Sequence, residues 1–262
     1  MGDVNVFLYL GEMPRILRTV IPRIKKSIEE RGLLGSLYRS VRLPVHLLRE
    51  YRQSLKANPP QVPSRFDNDY GVDTDGDLDG WTYLSDLNIP SSNWIHGNNY
   101  AAIEPGRFQA ILLSLGLRFE DFVLVDFGSG KGRALLMASE FPFKKVVGIE
   151  FAPELHAAAQ RNIAKFHPPG RRCEVVESVC MDFLEFALPP DPSVFFLFDP
   201  CDECVLAKLM ANVSQSLRDR PRALYLVYVA LTPAKERILN SAGCLTEISR
   251  NVEQNFCIYK AR

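Results

Sequence analysis

No apolar run in this chain is long enough to cross a bilayer. The opening VNVFLYL, residues 4–10, covers about a third of a span, and no small-residue cleavage site follows it. Met1-Gly2 begins like an acylation signal, but Val6 stands where Ser or Thr is required. Net charge is missing too, since 31 Lys and Arg offset 31 Asp and Glu. Internal repeats and low-complexity tracts are absent. The six cysteines, at 173, 180, 201, 204, 244 and 257, fall mostly in apolar runs, which suits free thiols in a reducing compartment better than a disulfide framework. These absences point to a cytoplasmic protein. What is present is ample apolar and aromatic residue for a core, 47% and 10%.

The balanced charge is unevenly spread. Residues 1–60 carry eleven Lys and Arg against five Asp and Glu, and residues 61–100 carry one Arg against seven Asp. Any basic partner surface therefore belongs to the N-terminus. Over 14–56 the apolar residues recur at helical spacing: Leu17, Val20, Ile21, Ile24 and Ile28, then Leu37, Val41, Val45, Leu48 and Leu55. Pro22 and Pro44 interrupt them. Such an arm either lies on an anionic membrane or a partner, or packs on the body with its basic face in water; solvated charge runs are the commoner case. The expected division is a basic helical extension over 1–60, an acidic loop-rich connector over 61–105, and a main domain over 106–262.

From residue 106 onward, helix and strand signals alternate. The strands FVLVDF, KVVGIE, CEVVESV, VFFLFDP and ALYLVYVA are continuous apolar runs, as in parallel sheets covered by helices on both faces. CLTEIS and NFCIYKA close the chain as an antiparallel edge pair. The expected fold is α/β and Rossmann-like: a mostly parallel seven-stranded sheet with an antiparallel C-terminal edge.

The first of these strands runs into a glycine turn, LVDFGSGKGRALL, at 124–136. A phosphate-binding P-loop needs glycine where Val125 stands and Ser or Thr where Gly132 stands. A dinucleotide fingerprint fits Gly128 and Gly130 but meets Arg133 at its third place. What remains is D-x-G-x-G-x-G: Asp126, Gly128, Gly130 and Gly132, with Ser129 inside the turn. Glycine lets the backbone turn tightly and approach a ligand without Cβ collision. Glu150 ends the second strand, where a carboxylate can accept both hydroxyls of a ribose.

This pattern resembles motif I of the class I S-adenosylmethionine-dependent methyltransferases, and VDFGSGKGRALLMASEF…VVGIEFAPELHAAAQRNI is similar to a bacterial group within them. The resemblance covers roughly 100–230. It implies S-adenosyl-L-methionine as cofactor, with S-adenosyl-L-homocysteine as product. It places Asp126 near the methionine end, Glu150 at the ribose, Asp182 at the adenine amino group, and Phe151 and Met181 against the adenine faces. Tyr100, Glu104 and Pro105 match a segment that covers the cofactor in this group, as in one type of lysine methyltransferase. Asp199 and Pro200, at the tip of the fourth strand, would border the methyl acceptor. Cys201 and Asp202 then depart from the Asp/Asn-Pro-Pro-aromatic pattern of many amino-group enzymes, which counts against a base or glutamine acceptor. Asp202 and Glu203 either attract a cationic substrate or sit at a helix N-terminus, where the dipole favours them.

An amine acceptor, such as a protein lysine, is the first expectation. RNA or a small molecule is the second, and a non-catalytic cofactor-binding adaptor recruited through the basic arm is the third. Two other motifs look weaker. Cys201-Asp-Glu-Cys204 has the spacing of a redox site, but two acids between the thiols oppose thiolate formation. DGDLDGWTYLSD, 75–86, places Asp75, Asp77, Asp79, Gly80 and Asp86 at calcium-loop positions, yet Thr82 stands where an aliphatic is usual and no helix enters.

Overall fold

The computed structural model describes residues 65–77 and 80–262. The arm expected over 14–56 lies outside the described residues. Seven strands form one sheet: β1 (Val123–Phe127), β2 (Lys145–Glu150), β3 (Val176–Cys180), β4 (Ser193–Phe198), β5 (Leu224–Val229), β6 (Leu245–Asn251) and β7 (Phe256–Ala261). Their order is β3-β2-β1-β4-β5-β7-β6. The first five pair in parallel, whereas β7 runs antiparallel to both β5 and β6. The sheet and its antiparallel edge are those the sequence leads one to expect.

Alternation within each apolar run sends side chains to opposite faces. Val194 and Phe196 pack with Phe108, Ile111 and Leu112 of α2 (Pro105–Ser114) and with α3 (Arg133–Ala138). Phe195 and Leu197 pack with Leu206, Leu209 and Met210 of α5 (Glu203–Asp219) and Leu239 of α6 (Pro233–Ser241). Phe108 meets Phe196 edge-on, ring centroids 5.2 Å apart. Each fully buried large apolar side chain is worth roughly 1.5–3 kcal/mol, so the two faces together hold the sheet. The helix α4 (Pro153–Lys165) follows β2, and α1 (Phe66–Tyr70) lies in the connector.

The strand order reverses between β1 and β4. In open α/β sheets that reversal opens a crevice beyond the carboxyl ends of the strands. The glycine turn after β1 and the Asp199-Pro200 tip after β4 both lie there.

Candidate active site

The turn after β1 takes its shape from glycines. Gly128 has φ +81°, and a Cβ there would come within 2.7 Å of the Pro200 side chain. Gly130 has φ +55°, and its Cβ would meet the Tyr100 ring at 2.0 Å. Any other residue would be strained at both positions and would push the β4 tip or the Tyr100 ring away. Tyr100 is thus laid directly on the turn, with its hydroxyl donating to the Thr74 carbonyl at 2.6 Å.

Two carboxylates back the turn. Glu150 accepts from the backbone N–H groups of Gly130 (2.8 Å) and Ala152 (2.9 Å). Burial pushes it up to about 7 in spite of those bonds. Asp126 is buried too and is pushed up to about 8, first by burial and then by the charge of Glu150. The Ser129 hydroxyl is buried without a hydrogen-bond partner. Two acids and an orphaned hydroxyl thus lie beside the turn, and no cation is bonded to them among the described residues.

The turn's own cations are paired with the acidic connector. Lys131 Nζ reaches Asp77 at 2.7 Å and Asp73 at 3.1 Å. Arg133 reaches Asp75 at 2.6 Å and Asp67 at 3.3 Å, donates from Nε to the Thr74 hydroxyl, and stacks over Phe66. Asn162 of α4 closes the arrangement, donating to the carbonyls of Asp73 and Lys131 and accepting from the Asp73 N–H. The acidic connector is therefore bolted to the outer side of the turn. Asp75 and Asp77, the first carboxylates of the calcium-like pattern, are committed to Arg133 and Lys131. Sequence reading treated Lys131 and Arg133 as spacers; the signal for their role was the excess of Asp over 61–100.

Of the expected residues, Gly128, Phe151, Asp182 and Pro200 line a small cleft, whereas Tyr100, Asp126, Ser129, Gly130, Glu150 and Met181 do not. Asp182 accepts from the Ser91 hydroxyl and the Asn93 amide, both at 2.7 Å. Met181 packs on the apolar cluster beneath α5. Glu104 does not line the cleft: its carboxylate accepts from the N–H groups of Gly106 and Arg107 and caps α2, which Pro105 begins. Gly132, at φ +87°, precedes α3 and packs on Ala159.

At the β4 tip the partners are new. Asp199 adopts φ +43°, rare for a residue with a side chain. Its carboxylate accepts from buried Lys235 and from the Tyr228 hydroxyl, and its carbonyl accepts from the Asn98 amide at 2.6 Å. Asp199 is thus held by protein groups at both its carboxylate and its carbonyl, and it does not line the cleft. The segment 96–98 runs antiparallel along the tip: Asn98 N–H donates to the Pro200 carbonyl at 3.0 Å, and Asp202 N–H to the His96 carbonyl at 2.8 Å. Asp202 also caps α5 with one oxygen and meets His96 Nδ1 with the other, at 2.7 Å. Asn93, His96, Gly97 and Cys201 consequently line the cleft beside Pro200. Asn93, His96 and Gly97 were not singled out for the site from sequence, because SSNWIHGN reads as an ordinary polar loop; the histidine inside it was the hint. The other half of the C-x-x-C pair, Cys204, is exposed while Cys201 is buried, and the two form no disulfide.

No protein-family model and no curated protein matches the sequence. Solved structures do. An RNA methyltransferase from Salinibacter ruber in complex with S-adenosyl-L-homocysteine is 19% identical, with 62% of this chain and 92% of that chain covered and a TM-score of 0.41. The glycopeptide N-methyltransferase MtfA complexed with S-adenosyl-L-methionine is 12% identical, covering 62% and 88%, at 0.46. Magnesium protoporphyrin IX methyltransferase from Synechocystis, with the same cofactor bound, is 14% identical, covering 60% and 78%, at 0.41. At these identities and scores the likeness is one of general outline. Among the described residues, no helix is long and apolar enough to cross a membrane.

Proposed function

We propose that this chain is an S-adenosylmethionine-dependent methyltransferase acting on an amine-type acceptor. One observation carries the reading: two buried carboxylates, Asp126 and Glu150, back the glycine turn with no cation bonded to them, and among the described residues Asp182 and no Lys or Arg lines the cleft. A nucleotide phosphate needs cations or free N–H groups at such a turn. Here Lys131 and Arg133 are spent on the connector, and the Gly130 N–H is spent on Glu150. A cationic nucleoside with free ribose hydroxyls suits the same groups: Glu150 to accept from the ribose, Asp126 to face the positive end, and the Ser129 hydroxyl as a further donor or acceptor. Asp182, at the end of β3, and Phe151 border the cleft where a base would lie.

When bound, the cofactor would supply a methyl group already activated on a sulfonium. The protein's task is then to place the acceptor in line, exclude water and keep the acceptor nitrogen unprotonated. Gly128 and Pro200 bring the turn and the β4 tip together, and the 96–98 segment walls the tip on its outer side. Protein lysine is the finer expectation for the acceptor, with RNA and small amines as the alternatives to be sorted.

The test is titration calorimetry with S-adenosylmethionine, NAD and ATP side by side. The expected result is binding of the sulfonium nucleoside alone, weakened at least tenfold by Glu150→Ala, which removes about 1.4 kcal/mol or more. Binding of NAD or ATP in its place would overturn the reading. Incubating a cell extract with methyl-labelled cofactor then assigns the acceptor to protein, RNA or small molecules. A cofactor that binds while no label moves would favour the adaptor. RNA as acceptor predicts binding that falls steeply with salt.

A further inference from the structure

We infer that His96 is the general base of this site and that Asp202 is its positioning residue. This rests on the methyltransferase reading and adds the group that readies the acceptor. His96 ends a short 3-10 turn, Ser92–His96, whose Trp94 is buried. Its Nδ1 lies 2.7 Å from Asp202 Oδ2. A carboxylate accepts only, so Nδ1 carries the hydrogen, and the neutral ring is left with its lone pair on Nε2. The described hydrogen bonds engage Nδ1 alone. The imidazole lines the cleft together with Gly128 and Pro200, the residues at the meeting point of the β1 turn and the β4 tip.

The dyad is held more firmly than its half-exposed surface position suggests. Asp202 is fixed as the cap of α5, accepting from the N–H groups of Cys204 and Val205, and its own N–H bonds to the His96 carbonyl. Backbone bonds at both ends of the pair fix the ring against the β4 tip. The alternative, a structural pair that merely closes the loop, is already served by the backbone bonds of 96–98 and needs no imidazole. Asp199, by contrast, has its carboxylate neutralised by Lys235 and its carbonyl taken by Asn98, so it offers no base. The titratable groups around the ring are Asp202 and Cys201 from the β4 tip, Glu203 in the first turn of α5, and Asp182 across the cleft.

An amine arrives at neutral pH as an ammonium. One N–H proton passes to His96 Nε2, giving an imidazolium that Asp202 stabilises and an amine with a free lone pair. That lone pair forms the N–CH3 bond as the C–S bond of the bound sulfonium breaks, with the bonding electrons retained by sulfur as a neutral thioether. The imidazolium then returns its proton to water.

The first test needs neither acceptor nor cofactor. Long-range proton–nitrogen NMR of the free protein should show the His96 ring as the Nδ1–H tautomer at high pH, and Asp202→Asn should abolish that preference while an Asn cap preserves α5. An Nε2–H tautomer in the wild type would overturn the inference. The second test uses label transfer from methyl-labelled S-adenosylmethionine into a cell extract. Between about pH 5 and 8, where imidazoles change charge, the wild-type rate should rise with pH. His96→Gln and His96→Asn should lower it about a hundredfold and remove that rise. Melting temperature should stay at the wild-type value in both variants, and the rates are compared at saturating cofactor. Unchanged rates and profile in folded variants would refute the base, whereas loss of cofactor binding in the wild type itself would refute the underlying function.

Discussion

The two sides of the glycine turn are electrostatic opposites. On the outer side, Lys131 and Arg133 meet Asp67, Asp73, Asp75 and Asp77, and every cation has its counter-charge. On the inner side, Asp126 lies buried within reach of the charge of Glu150, and among the described residues no cation is bonded to either. One short segment, Asp126 to Arg133, supplies both. The outer side is complete in itself and belongs to the structure. Burial keeps the inner acids largely protonated near neutrality, so a ligand that brought positive charge would favour their ionised forms. That contrast separates the part of the motif that builds the protein from the part that meets a ligand.

Breaking the outer side should have the largest effect. Arg133→Ala leaves Asp67 and Asp75 without their cation and removes the stacking on Phe66. Because the guanidinium is buried and Asp67 nearly so, the loss should reach about 3 kcal/mol. Scanning calorimetry should find the melting temperature lowered by about 8 °C. A drop of under about 2 °C would mean the connector is not bolted as described.

The inner side should respond in the opposite sense. Asp126→Asn removes a charge that the free protein holds at a cost, so at about pH 8 the free protein should melt higher, by roughly 5 °C. Cofactor affinity should fall at least tenfold in the same variant, about 1.4 kcal/mol. A variant that loses stability and keeps affinity would reverse the assignment of the two sides.

The same logic gives a pH dependence. Asp126 and Glu150, at about 8 and about 7, lie above their unfolded values of about 3.9 and 4.3. Between these limits the folded state binds more protons than the unfolded state, so stability falls as pH rises. Below about pH 4 both states are protonated and the cost vanishes; above about pH 8 it is fully present. A cationic ligand that favours the ionised pair should bind with proton release near neutrality and should stabilise more as pH rises. Calorimetry in buffers of different ionisation enthalpy reads that release directly, and uptake of protons on binding would contradict it.

Much of the fold was legible because its strands are buried on both faces. KVVGIE matches β2 residue for residue, since a continuous apolar run bounded by Lys and a charged end has one reading. The glycine turn was legible for a different reason: only a backbone forced to positive φ under Tyr100 and Pro200 spends glycine at alternate positions. The β4 tip was legible only as a location. Its partners come from far along the chain, Asn98 and His96 before it and Tyr228 and Lys235 after it. No local spacing records such meetings. Asp202 caps α5 with one oxygen, as the dipole argument expected, and holds His96 with the other.

The smallest predicted effect is also the sharpest test of the comparison. Asp77 sits on the outer side, bonded to Lys131 at 2.7 Å and to the Thr82 hydroxyl at 2.7 Å, but it is largely exposed. Asp77→Asn keeps an oxygen for one of those bonds, and Asp73 still faces Lys131. Solvent screens the lost charge, so the cost should stay at or below about 1 kcal/mol, a shift of about 3 °C. Cofactor affinity should not change, because neither Asp77 nor Lys131 lines the cleft. If this conservative exchange weakened the cofactor as much as Asp126→Asn does, the cations of the turn would have to serve the ligand as well, and the division between a finished outer side and an unfinished inner one would fail.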